Sequence, residues 1–467
     1  NPFFGQNATE NGILGKTGYR RLNYTFQQLV NWSQKYGQHS VAALFGHENF
    51  FVRTYSLSAS RNNMFDPTNM ELSGMVNVRS ANSAFTPYNN EGWLFRGQYD
   101  YDAKYFLSGS FRRDASSRFH PKHRWGNFWS LGGAWIISKE EWLNDQSWID
   151  ELKIKASYGE QGNDNIGDWR YTNLYTVEAS GSDVSLLPAT MGNENITWEK
   201  NGNFNAGVEF ALFNTRLSGS VEGFVRKTSD MLFYFPLPPS MGWTGYYANI
   251  GDMMNKGVEL DLHGTVVNTK DFTLGLDLNL TWYKNRISRL PEQRRTGSLE
   301  GYRGFSSGNY FYGEGLPMYT LYMFKSAGVD PATGEQLWYK YRDDLEIPEG
   351  LTRNDMPFTA ENVTTTNRVS EADHFNCGTA LPSVYGGFGL NANYKWFDLT
   401  LGFNYQLGGQ CYDSGYAALM GSPTSQGKGT NIHADVLNSW TPENPNSEIP
   451  RWQFGDQDFT QTSSRFL

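Results

Sequence analysis

Strict alternation of apolar and polar residues is the feature of this chain that most constrains its fold. In residues 272–283 every even position is Phe, Leu or Trp, whereas the odd positions hold Thr, Gly, Asp, Asn and Tyr. Residues 397–407 repeat the pattern, with Phe, Leu or Tyr at every odd position. A period of two sends successive side chains to opposite faces of a β-strand. The pattern therefore predicts strands with one apolar and one polar face.

Segments of this kind recur along the whole chain, and the prediction contains almost no helix. One capping-box signal, Ser138 with Glu141 three residues later, predicts a short helical turn over 138–143. Twelve strands are predicted, at residues 17–30, 38–51, 93–101, 104–113, 125–137, 152–160, 201–213, 216–226, 256–266, 272–284, 384–394 and 397–407.

The links between the predicted strands alternate in length. Links that follow odd-numbered strands are short, apart from a 14-residue link at 138–151, whereas those that follow even-numbered strands are long at 52–92, 161–200, 227–255 and 285–383 and of moderate length at 114–124. A β-sandwich has similar loops at both ends, but an outer-membrane barrel has short turns on one side and long loops on the other. The chain is therefore predicted to be all-β, a transmembrane antiparallel up-and-down β-barrel with short periplasmic turns and long extracellular loops.

Composition excludes two classes of protein. The chain has 39 Lys and Arg against 48 Asp and Glu, a formal charge of −9, which excludes a nucleic-acid partner held by bulk positive charge. No apolar run approaches the ~18 residues of a membrane-spanning helix, which excludes a protein that crosses the membrane with helices. Cys377 and Cys411, the only cysteines, have neither redox nor zinc spacing, although a disulfide between them stays possible.

No catalytic, metal or cofactor motif is found. His120 and His123 lie too close together in an aromatic loop to resemble a zinc-protease pair. The loop 162–168 could offer Asp164, Asn165 and Asp168 to calcium, but it lacks EF-hand spacing and is more typical of a polar turn. Because a glycosidase needs only two carboxylates, a secreted soluble carbohydrate-binding or glycoside-hydrolysing β protein remains the alternative.

Several phrases, in this order and spacing, resemble one family. They are FRRDASSRF at 111–119, WSLGGAWII at 129–137 followed by SKEEWL at 138–143, LKIKASYG at 152–159 with Gly162-Asn163, WEK at 198–200, NIG at 249–251, NKGVE at 255–259, GVDPATG at 328–334 and PSVYGG at 382–387. Together they are similar to the SusC/RagA-like TonB-dependent outer-membrane transporters of Bacteroidetes.

The resemblance implies a multi-pass outer-membrane barrel of about 22 strands, of which residues 1–467 would form one portion of about twelve. The plug domain that contacts TonB and the C-terminal strands are expected outside this chain. It also implies TonB-dependent import of an oligosaccharide or peptide, outer-membrane lipid around the wall, and a SusD-like surface lipoprotein as a lid. No cofactor or covalent chemistry is expected.

Aromatic residues in the long loops are the candidate ligand contacts. Rigid strands position such loops, and aromatic rings can stack on sugar faces or hold peptide side chains. Packing of the loops against themselves is the alternative role for each ring. The candidates are Trp243, Tyr246 and Tyr247 in the 227–255 loop, with Tyr302, Tyr310 and Tyr312 in the 285–383 loop.

Overall fold

The structure is a computed structural model that describes residues 10–143, 145–181, 183–421, 431–453 and 462–467. Strands account for most of the regular structure in these ranges. They are β1 Ile13–Tyr36, β2 His39–Met64, β3 Met75–Tyr101, β4 Tyr105–Ser116, β5 Trp125–Ile136, β6 Ile149–Asn163, β7 Leu174–Ser180, β8 Asp183–Thr190, β9 Glu199–Leu212, β10 Leu217–Ser229, β11 Leu232–Pro236, β12 Gly245–Asn249, β13 Asp252–Asn268, β14 Phe272–Arg289, β15 Gly297–Leu299, β16 Tyr302–Ser307, β17 Tyr310–Gly313, β18 Thr320–Phe324, β19 Ser326–Val329, β20 Gln336–Tyr341, β21 Val363–Thr366, β22 His374–Thr379, β23 Val384–Tyr394 and β24 Phe397–Leu407.

Helical structure is confined to short segments. The α-helix α1 spans Ser414–Met420, and the Asp413 side chain caps it by accepting a hydrogen bond from the backbone N–H of Tyr416 at 2.8 Å. Within the described ranges, no helix is both long enough and apolar enough to span a membrane. The 3-10 turns lie at Leu72–Gly74, Ile137–Lys139, Glu141–Leu143, Pro239–Met241, Glu292–Arg294, Arg353–Asp355, Val369–Glu371, Ala434–Asn438 and Ser464–Phe466.

Twelve strands form one antiparallel sheet, here called the wall sheet. Its order is β1-β2-β3-β4-β5-β6-β9-β10-β13-β14-β23-β24, so each wall strand lies beside the next wall strand along the chain. All twelve predicted segments are found in it, in the predicted up-and-down order. The other strands form small sheets: β7-β8, β11-β12, β15-β16-β17-β18-β22 and β19-β20-β21.

Links on one side of the wall sheet are tight turns, apart from the one at 137–148, and three of those on the other side contain the small sheets. Asp102 and Ala103, between β3 and β4, have φ values of 55° and 48°. Tyr101 pairs with Tyr105, and within this loop the N–H of Lys104 donates to the carbonyl of Tyr101 at 3.0 Å, so Asp102 and Ala103 are the central residues of a turn of type I′, which requires positive φ at both. The small sheets lie in the links of the opposite side, here called the long-loop side.

The two faces of the wall sheet differ as the alternation predicts. Register pairs Leu276 with Leu390, and Leu390 with Leu401, so these three side chains share the apolar face. The polar face carries ion pairs. Lys155 Nζ lies 2.8 Å from Oε1 of Glu209 and 2.8 Å from Oε2 of Glu222.

Two sequence expectations need correction, and the pairing of the two cysteines, which the sequence left open, is decided. The predicted loop 52–92 is mostly strand, since β2 extends to Met64 and β3 begins at Met75. No apolar period marks this extension, because both faces of these strand segments carry many polar residues. The predicted capping box at Ser138 does not form, and 138–143 contains parts of two 3-10 turns instead. Cys377 and Cys411 are free thiols, the first buried and the second exposed.

The chain divides into two compact units. The first contains the described residues of Asn1–Ala134, Ser157–Asn201 and Asp230–Asn249, and its hydrophobic cluster is built on Phe119, Ile196 and Trp198. The second contains those of Trp135–Ala156, Gly202–Ser229 and Ile250–Leu467. Its long-loop region has several small hydrophobic clusters, one of them around Leu299 and Phe311 and another around Tyr341 and Phe375.

Candidate ligand-binding loops

The phrase at 111–119 supplies the central cation of a polar network in the first unit. The Arg118 guanidinium donates to Asp168 Oδ1 at 3.3 Å and to Asp164 Oδ1 at 3.4 Å, and it stacks 4.6 Å above the Tyr88 ring. Ser116 Oγ donates to Asp164 Oδ2 at 2.5 Å. Ion pairs that are partly removed from water hold their geometry better than exposed ones. The phrase therefore ties its own loop to the 162–168 loop and to β3.

Tyr88 completes this network. Its hydroxyl donates to Asp164 Oδ2 at 2.8 Å. Burial, together with the negative charge of Asp164, raises the pKa of Tyr88 to about 12, because both disfavour the phenolate. Tyr88 is thus a neutral hydrogen-bond donor under all physiological conditions.

The WEK and NIG phrases also join loops of the first unit. Trp198 is buried, and its indole N–H donates to the carbonyl of Arg124 at 2.8 Å. Glu199 accepts from the backbone N–H of Leu232 at 3.1 Å. The Asn249 side chain accepts from the Thr197 N–H and donates to its carbonyl, each at 2.8 Å. Each contact is internal, so these phrases explain how the loops fold rather than what they bind.

Gly162, which belongs to one of the phrases that resemble the family, makes room for the hydrophobic cluster of the first unit. A Cβ placed on Gly162 would lie 2.2 Å from the buried ring of Phe128, which is closer than carbon atoms can approach. The ring of Phe128 meets that of Trp198 edge to face, with centroids 5.5 Å apart. Glycine at position 162 is required by this close approach.

The first three candidate aromatics lie on or beside the β11-β12 hairpin, and each contacts another loop side chain. The Trp243 ring meets Tyr175 edge to face at 5.4 Å, and the Tyr246 ring lies 5.4 Å from Phe235. Tyr247 packs against the hydrophobic cluster of the first unit, beneath the guanidinium of Arg170 at 5.0 Å. All three are half-buried, so much of their surface is already used by loop packing.

Tyr310 and Tyr312 lie together in the second unit, and Tyr319 joins them. The ring of Tyr319 is 5.4 Å from that of Tyr310 and 6.3 Å from that of Tyr312. We call these three residues the tyrosine cluster. Phe305 stacks on Tyr312 at 5.3 Å and extends the aromatic surface. Burial raises the pKa of Tyr312, and the two neighbouring tyrosines add to the effect.

The hydroxyl groups of the tyrosine cluster are available to a ligand. Across the described ranges, no protein group bonds to the hydroxyl of Tyr310, Tyr312 or Tyr319. A tyrosine hydroxyl that is shielded from water normally has a partner. Three adjacent rings with available hydroxyls can therefore offer a ligand both stacking faces and hydrogen bonds.

Tyr302 does not belong to the tyrosine cluster. Tyr302 and Phe305 are both on β16, three positions apart. Because successive side chains alternate between the two faces of a strand, the ring of Tyr302 lies on the face opposite to that of Phe305. It is 42% exposed. Sequence reasoning missed Tyr319, because its role depends on a turn at which the residue takes a φ of 62°. No local pattern at Pro317-Met318-Tyr319 signals that turn.

The residues considered for metal binding have other partners. Arg118 binds both carboxylates of the 162–168 loop, Asp164 and Asp168. The ring centroids of His120 and His123 are 6.5 Å apart, and His120 faces Tyr171. The described residues contain no group of three or more His, Cys, Asp or Glu arranged to hold a metal ion.

Comparison with known families agrees with the wall sheet and its loops. Residues 1–338 match the family described as TonB dependent receptor-like, beta-barrel. This match covers most of the chain, and the chain belongs to that family. Its members are proteins of the bacterial outer membrane, which places the apolar face of the wall sheet against lipid. This supports the barrel over the soluble carbohydrate-active alternative.

Individual relatives point to one branch of the family. The RagAB peptide transporter superposes with a TM-score of 0.80 at 27% identity, over 97% of this chain and 48% of its own. TonB-dependent receptor P39 of Formosa agariphila is 27% identical over 88% of this chain and 42% of its own length. TonB-dependent receptor SusC of Bacteroides thetaiotaomicron is 35% identical over 40% of this chain and 20% of its own. The chain thus spans less than half of each relative.

Proposed function

We propose that the protein containing this chain imports a nutrient, an oligosaccharide or a peptide, across the outer membrane as the barrel component of a SusCD-like complex. The observation that carries the proposal is the superposition on the RagAB peptide transporter over 97% of the chain, together with the family match. A SusD-like surface lipoprotein would close the mouth as a lid. TonB would supply energy through a plug, and no covalent bond of the cargo would change.

The tyrosine cluster is our proposed cargo contact within this chain. It lies in the 285–383 link on the long-loop side, where a ligand arriving from outside meets the protein first. Its three rings are half-buried or exposed, and their hydroxyls are available. Trp243, Tyr246, Tyr247 and Tyr302 remain proposed contacts, but the first three contribute to loop packing as well.

Removing the tyrosine cluster tests the proposal. In the full-length transporter with its lid partner, Tyr310→Ala, Tyr312→Ala and Tyr319→Ala combined should raise the half-saturating nutrient concentration for uptake at least about tenfold, since each aromatic contact contributes ~0.5–1.5 kcal/mol. Uptake is measured with radiolabelled nutrient in the native host, with the outer-membrane level of the variant quantified.

Conservative and neighbouring variants serve as controls. Replacing the three tyrosines by Phe keeps the rings but removes the hydroxyls, so a partial loss would separate hydrogen bonding from stacking. Leu351→Ala removes an exposed apolar side chain from the same 285–383 link and should change uptake less than twofold, which is roughly the effect of a surface substitution. Unchanged uptake in the triple Ala variant, at a normal protein level, would contradict the assignment.

A further inference from the structure

Four basic side chains share the apolar face of the wall sheet at its long-loop side. Register pairs Lys256 with Lys284, and Met254 with both Lys227 and Arg286. Directly paired residues of a sheet point to the same face. One row earlier on that face lie Val258 and Trp282, which are paired with each other. In the two rows beyond Val258 and Trp282, basic residues therefore take four of the six positions on these three strands, beside Val225 and Met254.

We call Lys227, Lys256, Lys284 and Arg286 the basic rim. All four are exposed. Lys284 Nζ lies 5.8 Å from the ring centroid of Trp282, which confirms that the two side chains share a face. Because aromatic residues of outer-membrane barrels concentrate where the hydrocarbon ends, Trp282 marks the outer interface of the bilayer. The basic rim thus lies at the level of the outer-leaflet headgroups.

The rim lacks negative partners of its own. None of its four side chains has a carboxylate within ion-pair distance among the described residues, whereas nearby Arg289 is paired with Asp252 at 3.0 Å. Like charges directly opposite each other destabilise an antiparallel pair. Lys256 and Lys284 are such a pair, so an anion bound between them would stabilise this part of the sheet.

A cavity of about 400 Å³ opens beside these residues. Lys256, Lys284 and Arg286 line it together with Tyr283 and Asn285, and its lining contains no Asp or Glu. It forms beyond Trp282, where the edge of β14 that faces away from β13 is no longer paired with β23. The N–H of Tyr283 still donates to Ser383, but β14 regains a partner only at Ile287, which exchanges backbone hydrogen bonds with 315–316. Its volume lies in the range of small-ligand sites.

We propose that the basic rim and this cavity bind a phosphate group of the glycolipid that forms the outer leaflet. The argument combines charge complementarity, the level of the rim just beyond Trp282, and a cavity that three of the four rim residues line. The site is distinct from the tyrosine cluster, and its role is to anchor lipid rather than cargo. It requires the outer-membrane location of the family but not the proposed import function.

Lipid binding by the purified full-length transporter tests the site. The probe is diphosphoryl lipid A in detergent micelles, with phosphate-free lipid A of the same acyl composition as the second probe. Each basic residue near an anionic lipid surface contributes ~1 kcal/mol, so Lys227→Gln, Lys256→Gln and Lys284→Gln combined should weaken binding of diphosphoryl lipid A at least about tenfold. Native mass spectrometry counts the bound lipids.

The matched control neutralises three lysines of the tight turns, Lys104→Gln, Lys270→Gln and Lys395→Gln. It makes the same change in charge and should bind lipid A as the unmodified protein does. Phosphate-free lipid A should bind the unmodified protein at least about tenfold more weakly than the diphosphoryl form. Because this comparison uses only the unmodified protein, it tests whether the phosphate groups are recognised even if the rim variant fails to assemble.

Three results would overturn the proposal. One is equal binding of the two lipids, which would assign any contact to acyl chains alone. Another is an equal loss in the rim variant and in the turn variant, which would indicate only bulk charge. The third is full displacement of lipid A by an equal concentration of inorganic phosphate, which would identify an anion site without preference for lipid.

Discussion

Polar side chains of the long loops serve the fold in the first unit. Arg118 is committed to Asp164, Asp168 and the Tyr88 ring. The sequence identified the phrase that contains Arg118 but not its partners, because they are 30 to 50 positions away. Pairings over such distances depend on how loops meet, and local periodicity carries no information on them.

His374 gives the second unit a dependence on pH. Its ring lies 4.1 Å from that of Phe324 and 5.2 Å from that of Tyr322. Burial lowers the pKa of this imidazole, although the Asp373 carboxylate acts in the opposite direction. In the unfolded state the ring takes up a proton at higher pH than in the folded state. The free energy of unfolding should therefore fall as pH drops below about 6.5.

Protease resistance of the 285–383 link measures this effect. In the full-length protein the link should be cut faster at about pH 5.5 than at about pH 7.5 by a protease whose own rate is corrected on an unfolded substrate. His374→Phe should remove most of the difference, because Phe cannot be protonated. His39→Gln, which changes an exposed histidine beside a tight turn, should leave it intact. A difference that persists in His374→Phe would place the titrating group elsewhere.

At the scale of elements, strands were predictable wherever one face is apolar. Each of the twelve wall strands contains a segment that the period of two predicted, and β23 and β24 end at the predicted residues. The period failed for the extensions of β2 and β3 and for the small sheets, whose short strands lack a continuous apolar face. Those strands are held by tertiary contacts such as the packing of Tyr341 on Phe375 at 4.8 Å. Such contacts have no signature in a short window of sequence.

A pair of arginine substitutions tests which face of β14 meets lipid. Leu276→Arg places a charge near the middle of the apolar face, which costs ~2–4 kcal/mol, and should sharply reduce the outer-membrane level of the full-length protein. Asn279→Arg places it on the polar face opposite Asp261 and should be tolerated. Asp277 is a poorer control position, because its carboxylate binds His263 and Asn391. Equal levels of the two variants would contradict the assignment of the faces.

At the scale of the whole molecule, the proposed function requires two partners that act at different steps. Deleting TonB should abolish uptake of the nutrient while surface binding persists, because only the displacement of the plug needs energy. Deleting the lid lipoprotein should instead weaken capture. Labelled nutrient bound to whole cells at low temperature, compared with nutrient accumulated on warming, separates the two steps. Accumulation that survives loss of TonB would contradict active import by this protein.

The extension of β1, β2 and β3 has a steric consequence for anything that approaches the cell. Pairing of β3 with β4 stops at Asn90 and Ser116, yet β3 begins fifteen residues earlier, at Met75. Each strand residue advances ~3.3 Å, so the extension reaches up to roughly 50 Å along the strand beyond the end of β4. Three paired strands resist bending better than a single loop does. The extension is therefore a stiff spacer that ends in the turn at 65–74. Its length sets how closely a bacteriophage, an antibody or a neighbouring cell can approach this region.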